Sequence, residues 1–113
     1  MCSKAVLKTV LQRVIDESQN IYGDKLSSII LYGSCARGDN TDESDIDIMI
    51  LLNCSREEVE TMRRPTYEMA NDISLDEDVF LSILLRDKKN FEENQDFLPF
   101  YKNIVKDGVR IYG

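Results

Sequence analysis

The chain has no histidine, and that absence removes much of the usual catalytic repertoire. There is no Ser-His-Asp triad, no Cys-His pair and no histidine-bearing zinc site. Cysteine is scarce too. Cys2, Cys35 and Cys54 are an odd number with no C-x-x-C pair, which reads as reduced thiols in a cytoplasmic protein and not as a disulfide framework. With only 5 Gly and 2 Pro, a collagen-like or low-complexity chain is ruled out. No apolar run approaches the ~18 residues of a membrane span, and the polar N-terminus lacks a signal-peptide hydrophobic region. Basic residues are in the minority: 14 Lys plus Arg against 21 Asp plus Glu give a formal net charge of −7 and a pI near 4.5. Strong nucleic-acid binding rests on a basic face and is disfavoured. What chemistry remains must use carboxylates, hydroxyls, thiols, Arg, Lys, Tyr or a hard metal.

What is present is enough for one compact domain spanning residues 1–113, with 42% hydrophobic residues to build a core. Val6, Leu7, Val10, Leu11, Val14 and Ile15 repeat with helical period, so residues 3–22 read as a helix capped by Ser3 and stopped at Gly23. Leu26–Tyr32 is β-branched and aromatic and reads as a strand. Residues 33–44 read as a loop or short helical turn. Ile46–Leu52 is a second strand, apolar enough to be buried on both faces. Ser55 and Glu58 form a capping box for a helix whose register runs Val59, Met62, Thr66, Met69, Ala70, Ile73. Pro65 falls inside that register and predicts a kink or two shorter helices. Asp78–Arg86 reads as a third strand. Phe97, Phe100, Tyr101, Ile104 and Val105 mark a late helix ending at Gly108, and Val109–Tyr112 reads as a short fourth strand. The fold class is α/β or α+β: a small mixed sheet of about four strands flanked by helices.

The chemistry concentrates between Gly33 and Asp47. A strand ends, Gly33-Ser34 turns the chain, ten residues follow, and Asp45-Ile46-Asp47 opens the next strand. Alternation puts Asp45 and Asp47 on one face with Cα atoms about 6.5–7 Å apart. Two ionised carboxylates there repel, and a hard cation such as Mg²⁺, completed by phosphate oxygens and water, is the natural relief. Ile46, Ile48 and Ile50 face the other way and anchor the strand. Gly33 permits close backbone approach, and the turn amides with the Ser34 hydroxyl suit phosphate. This is not a P-loop, because G-x-x-x-x-G-K-[ST] is absent. Arg37, the sole cation between Gly33 and Asp47, can reach a phosphate, or pair with Asp39 or an acid of the site. A third carboxylate is expected from a neighbouring strand. Asp78 has the parity to supply it, with Asp76 as the reserve.

Gly33-Ser34, ten residues, then Asp45-x-Asp47 resembles the G-S-x10-D-x-D signature of the DNA polymerase beta-type nucleotidyltransferase superfamily. The fuller string Gly33-Ser34-Cys35-Ala36-Arg37-Gly38-Asp39 with Ser44-Asp45-Ile46-Asp47 is similar to its minimal nucleotidyltransferase (MNT) branch, stand-alone domains of about this length. The resemblance implies a polymerase beta palm-like fold with two Mg²⁺ ions on Asp45, Asp47 and Asp78. Asp78 would help to deprotonate an acceptor hydroxyl, while Gly33 and Ser34 hold the phosphates of ATP or another NTP. It also implies a partner, a HEPN-domain toxin, with the MNT protein as antitoxin moving AMP onto a tyrosine of it. The residues alone do not choose nucleotidyl transfer over phosphate hydrolysis. A catalytically silent module that masks a HEPN partner, and a homodimeric small-molecule nucleotidyltransferase, are the alternatives.

Overall fold

The computed structural model describes residues 3–39 and 45–113; Cys2 and Ser44 lie outside them. Helix α1 (Lys4–Tyr22) is followed by a short 3-10 turn (Gly23–Lys25), strand β1 (Leu26–Tyr32) and the four-residue helix α2 (Ser34–Arg37). Strand β2 (Ile46–Leu52) leads to α3 (Arg56–Thr61) and α4 (Arg63–Glu77). Then come β3 (Leu81–Asp87), α5 (Lys88–Asn94), α6 (Pro99–Asp107) and β4 (Val109–Tyr112).

The end signals act as the sequence suggests. Ser3 Oγ accepts from the Val6 amide at 3.2 Å, and Ser55 and Glu58 close a reciprocal capping box. Pro65 works upstream of itself. In a continuous helix its ring would clash with the carbonyl of Thr61, so the chain breaks at Met62 (φ −95°, ψ −2°) and Pro65 sits in the first turn of α4. Thr66, in the same helix, meets the Tyr22 hydroxyl at 2.5 Å and ties α4 to α1.

The four strands form one mixed sheet in the order β3-β2-β1-β4. β1 is antiparallel to β2 and to β4, whereas β2 and β3 are parallel. The central β2 is buried on both faces: Ile46, Ile48, Met49, Ile50 and Leu52 have no exposed surface. Ile46, Ile48 and Ile50 pack with Val10 and Val14 of α1 and Met69 and Ile73 of α4. Met49 and Leu51 pack with Phe91 of α5 and Tyr101 and Ile104 of α6 on the opposite face. Helices therefore cover both sides, and the odd-numbered residues of β2 look toward α5 and α6.

Two element starts and one whole helix differ from the sequence reading. β3 begins at Leu81, not Asp78. The ladder with β2 starts where Ile46 donates to the Phe80 carbonyl at 2.8 Å, and Asp78 is still the left-handed cap of α4 (φ 53°). Helix α5 was not anticipated, because Phe91 is its one buried side chain and a single apolar residue produces no period. The last helix starts at Pro99, leaving Phe97 exposed before it (78%).

Candidate active site

Because β1 and β2 are antiparallel, the chain leaves β1 at the end of the sheet where it enters β2, and Tyr32 is the register partner of Asp47. Gly33 turns out of β1 at φ +76°, a conformation that L side chains rarely adopt. A Cβ at this position would stand 2.5 Å from Asp47 Oδ2, so the missing side chain is what lets the turn lie against that carboxylate. Ser34 opens α2, where the Ala36 and Arg37 amides close onto the Gly33 carbonyl at 3.1 and 3.2 Å. The buried Cys35 thiol donates to the Asp45 carbonyl at 3.5 Å, fastening α2 to the segment that carries the acid pair.

Asp45 is exposed and immediately precedes β2; Asp47 is half-buried within it. Burial raises the Asp47 carboxyl above its ordinary value, the nearby Asp45 charge raises it further, and the Arg37 guanidinium opposes both. Arg37 is also ion-paired to Asp39 (Nε to Oδ2, 3.3 Å), so it serves a surface pair and the field of the site together. The Tyr32 hydroxyl is pushed up to about 12, by burial and then by Asp47, with Arg86 pulling the other way. Phe100 of α6 meets the Tyr32 ring edge-on, centroids 5.7 Å apart. The sequence reading passed over Tyr32; its signal was its place as the last residue of β1, opposite the acid pair.

The structure thus assembles Gly33, Ser34, Arg37, Asp45 and Asp47 around one corner, and treats the remaining acids differently. Asp76 is committed elsewhere: it bridges to Arg13 of α1 at 3.0 Å. Asp78, expected to extend the strand alternation, is an exposed helix cap whose amide donates to the Ser74 carbonyl. Among the described residues, no three of His, Cys, Asp and Glu lie together in a way that could hold a metal ion. The residue that the β2–β3 register sets beside Asp47 is Ser82. Its signal was visible as a lone small polar residue inside the apolar run Leu81–Leu85. Two carboxylates near enough for one charge to act on the other, beside a corner with no side chain in the way, suit one hard divalent cation. A three-carboxylate, two-ion arrangement does not fit the described residues.

Comparison with known proteins bears on the family and the fold. The family model described as "Nucleotidyltransferase domain" matches residues 7–112. The chain is 26% identical over 102 residues, 90% of its length and 94% of the relative's, to "Putative protein adenylyltransferase MJ0604" of Methanocaldococcus jannaschii. Its fold is shared with a crystal structure of a toxin-antitoxin with AMP-PNP (TM-score 0.59, 20% identity, covering 91% of this chain and 73% of that one). It is shared also with a chain from a complex of the tri-AMPylated Shewanella oneidensis HEPN toxin with MNT antitoxin (TM-score 0.54, 18% identity, covering 94% and 71%). The motif, the mixed sheet and the family match converge, and the chain belongs to the nucleotidyltransferase domain family.

Proposed function

We propose that this nucleotidyltransferase moves AMP from ATP onto a hydroxyl of a partner protein, in a Mg²⁺-dependent reaction, as the antitoxin of a HEPN-domain toxin. The observation that carries this reading is the contact between the Gly33 turn and Asp47, with Asp45 close enough for its charge to act on that carboxyl. Family membership supports the reaction class, and the toxin-antitoxin complexes that share the fold support the partner. Among the described residues, Cys35 and Cys54 form no disulfide, which accords with a cytoplasmic setting.

In this reading Asp45 and Asp47 hold the cation, Gly33 lets the triphosphate approach the turn, and Ser34 donates its hydroxyl to a phosphate oxygen. A bound Mg²⁺ supplies neutralisation of the acid pair and of charge developing on the leaving pyrophosphate. The acceptor oxygen attacks the α-phosphorus in line, the bond from that phosphorus to the α–β bridging oxygen breaks, pyrophosphate leaves with the electron pair, and the acceptor proton passes to water. The acceptor comes from outside, carried by the partner.

The test uses the chain with a HEPN partner and labelled ATP. Label at the α-phosphate should appear on the partner and label at the γ-phosphate should not. Asp45→Asn or Asp47→Asn should lower transfer by more than about 100-fold, since loss of mere supporting contacts at metal sites already costs 10–100-fold. Full activity in the double variant ends this account. The silent masking module is favoured by one observation, the serine beside Asp47. It predicts toxin neutralisation without any label transfer.

A further inference from the structure

We infer that Ser82 makes cation binding at this corner conditional on nucleotide: with a hydroxyl in place of a third carboxylate, the acid pair recruits a divalent ion only together with a triphosphate. This rests on the reading of the corner as the nucleotide site and adds which residue sets the order of binding.

The register carries the argument. In the parallel pair β2–β3, Asp47 faces Ser82 and Ile48 faces Ile83. Register partners on parallel strands point to the same face and stand about 4.8 Å apart. Ser82 is exposed, so its hydroxyl stands at the surface beside the half-buried Asp47 carboxylate. The arrangement is pinned from both sides. Ile46 donates to the Phe80 carbonyl at 2.8 Å, and the Leu81 amide donates to Ser74 Oγ at 3.1 Å. Bringing Asp78 into the place of Ser82 needs a four-residue slide of β3, which would break the present ladder, set Glu77 in the buried place of Leu81 and carry Leu85 beyond the end of β2.

A cation arriving alone meets two carboxylates, Asp45 and Asp47. Mg²⁺ gives up its waters reluctantly and prefers a full set of hard oxygens, so this offer is thin. A triphosphate resting on the Gly33 turn supplies further anionic oxygens, and ion and nucleotide then complete each other's site. A carboxylate at residue 82 would lie next to Asp47 and remove that dependence, at the cost of stronger repulsion in the empty site.

The test is a Mn²⁺ titration of the whole chain followed by electron paramagnetic resonance. Without nucleotide, Ser82→Asp should bind Mn²⁺ at least about tenfold more tightly than the wild type, since one added charge at this distance is worth more than 1.4 kcal/mol in a partly shielded site. Ser82→Asn, which adds bulk and polarity but no charge, should match the wild type. Adding AMP-PNP should give the wild type a bound-Mn²⁺ signal that Asp47→Asn lacks. The inference fails if the nucleotide-free wild type already matches Ser82→Asp, or if Ser82→Asp matches Ser82→Asn. Should Ser82→Asp not fold, wild type and Asp47→Asn decide: equal nucleotide-free affinities support the inference, and a clearly tighter wild type overturns it. AMP-PNP that never binds the wild type sinks the reading of the corner itself. AMP-PNP that binds without drawing Mn²⁺ sinks the Ser82 assignment alone.

Discussion

Gly33 and Asp47 occupy each other's space: a Cβ on the one would stand 2.5 Å from the Oδ2 of the other. The turn and the carboxylate are therefore a single construction, and a change at either should be felt at both. Gly33→Ala should cost about 1–3 kcal/mol, the usual range for a non-glycine residue forced into a conformation that favours glycine. Part of that cost should disappear in an Asp47→Ala background, where the clashing carboxylate is gone and only backbone strain remains. A double-mutant cycle by urea denaturation checks this, and strict additivity of the two changes would show that they do not touch.

Asp47 gives stability a pH dependence of definite sign. Its folded carboxyl titrates above the ordinary 3.8, chiefly through burial and then through Asp45. Between those two values the folded state holds the extra proton, so this group's contribution to stability declines as pH rises through that window and stays reduced above it. Asp47→Asn should therefore melt higher than the wild type at pH 7, and the gap should close as pH falls below about 4. With Mg²⁺ and AMP-PNP present the order should reverse, because the wild type gains a ligand that the variant cannot hold. Melting curves with and without ligand at both pH values decide it; an Asp47→Asn variant less stable than the ligand-free wild type at pH 7 counts against the account.

Asp76 makes a useful contrast, being an acid of the right parity with a structural task. Its bridge to Arg13 is partly exposed, so Asp76→Ala should cost only about 0.2–1 kcal/mol. AMP-PNP binding in the presence of Mg²⁺ should be unchanged. A loss of binding measured by calorimetry would return Asp76 to the site.

The hydroxyl pair Tyr22–Thr66 bears on the frame behind the site. Both residues are buried, and the bond joins α1 to α4 at 2.5 Å. Thr66→Val should cost about 1–3 kcal/mol, because it leaves the Tyr22 hydroxyl without its partner in a dry interface. Chemical denaturation reads the effect, and a neutral result would mean that water replaces the bond.

Much of this protein could be read in its letters because the signals are local. Helix α1 announces itself through its period and Ser3, β2 through an unbroken apolar run, and the capping box through Ser55 and Glu58. The Gly33-Ser34 and Asp45-x-Asp47 motifs are equally local: a strand's alternation is enough to place both acids on one face. Helix α5 escaped because one apolar residue in seven carries no period. The start of β3 escaped because Asp76-Glu77-Asp78 is compatible both with a strand entrance and with a helix end. Packing of Leu81, Ile83 and Leu85 into the core, together with the left-handed cap at Asp78, selected the helix end.

The acid pair and the likeness to a nucleotidyltransferase could be read from residue types at fixed short spacing, although those residues alone leave transfer and hydrolysis open. The neighbour of Asp47 could not be read that way. That neighbour belongs to a strand more than thirty residues downstream, and its identity depends on the register in which β3 docks against β2. Alternation says which residues share a face, but register is chosen by the core as a whole, and it set Ser82 where a carboxylate was expected.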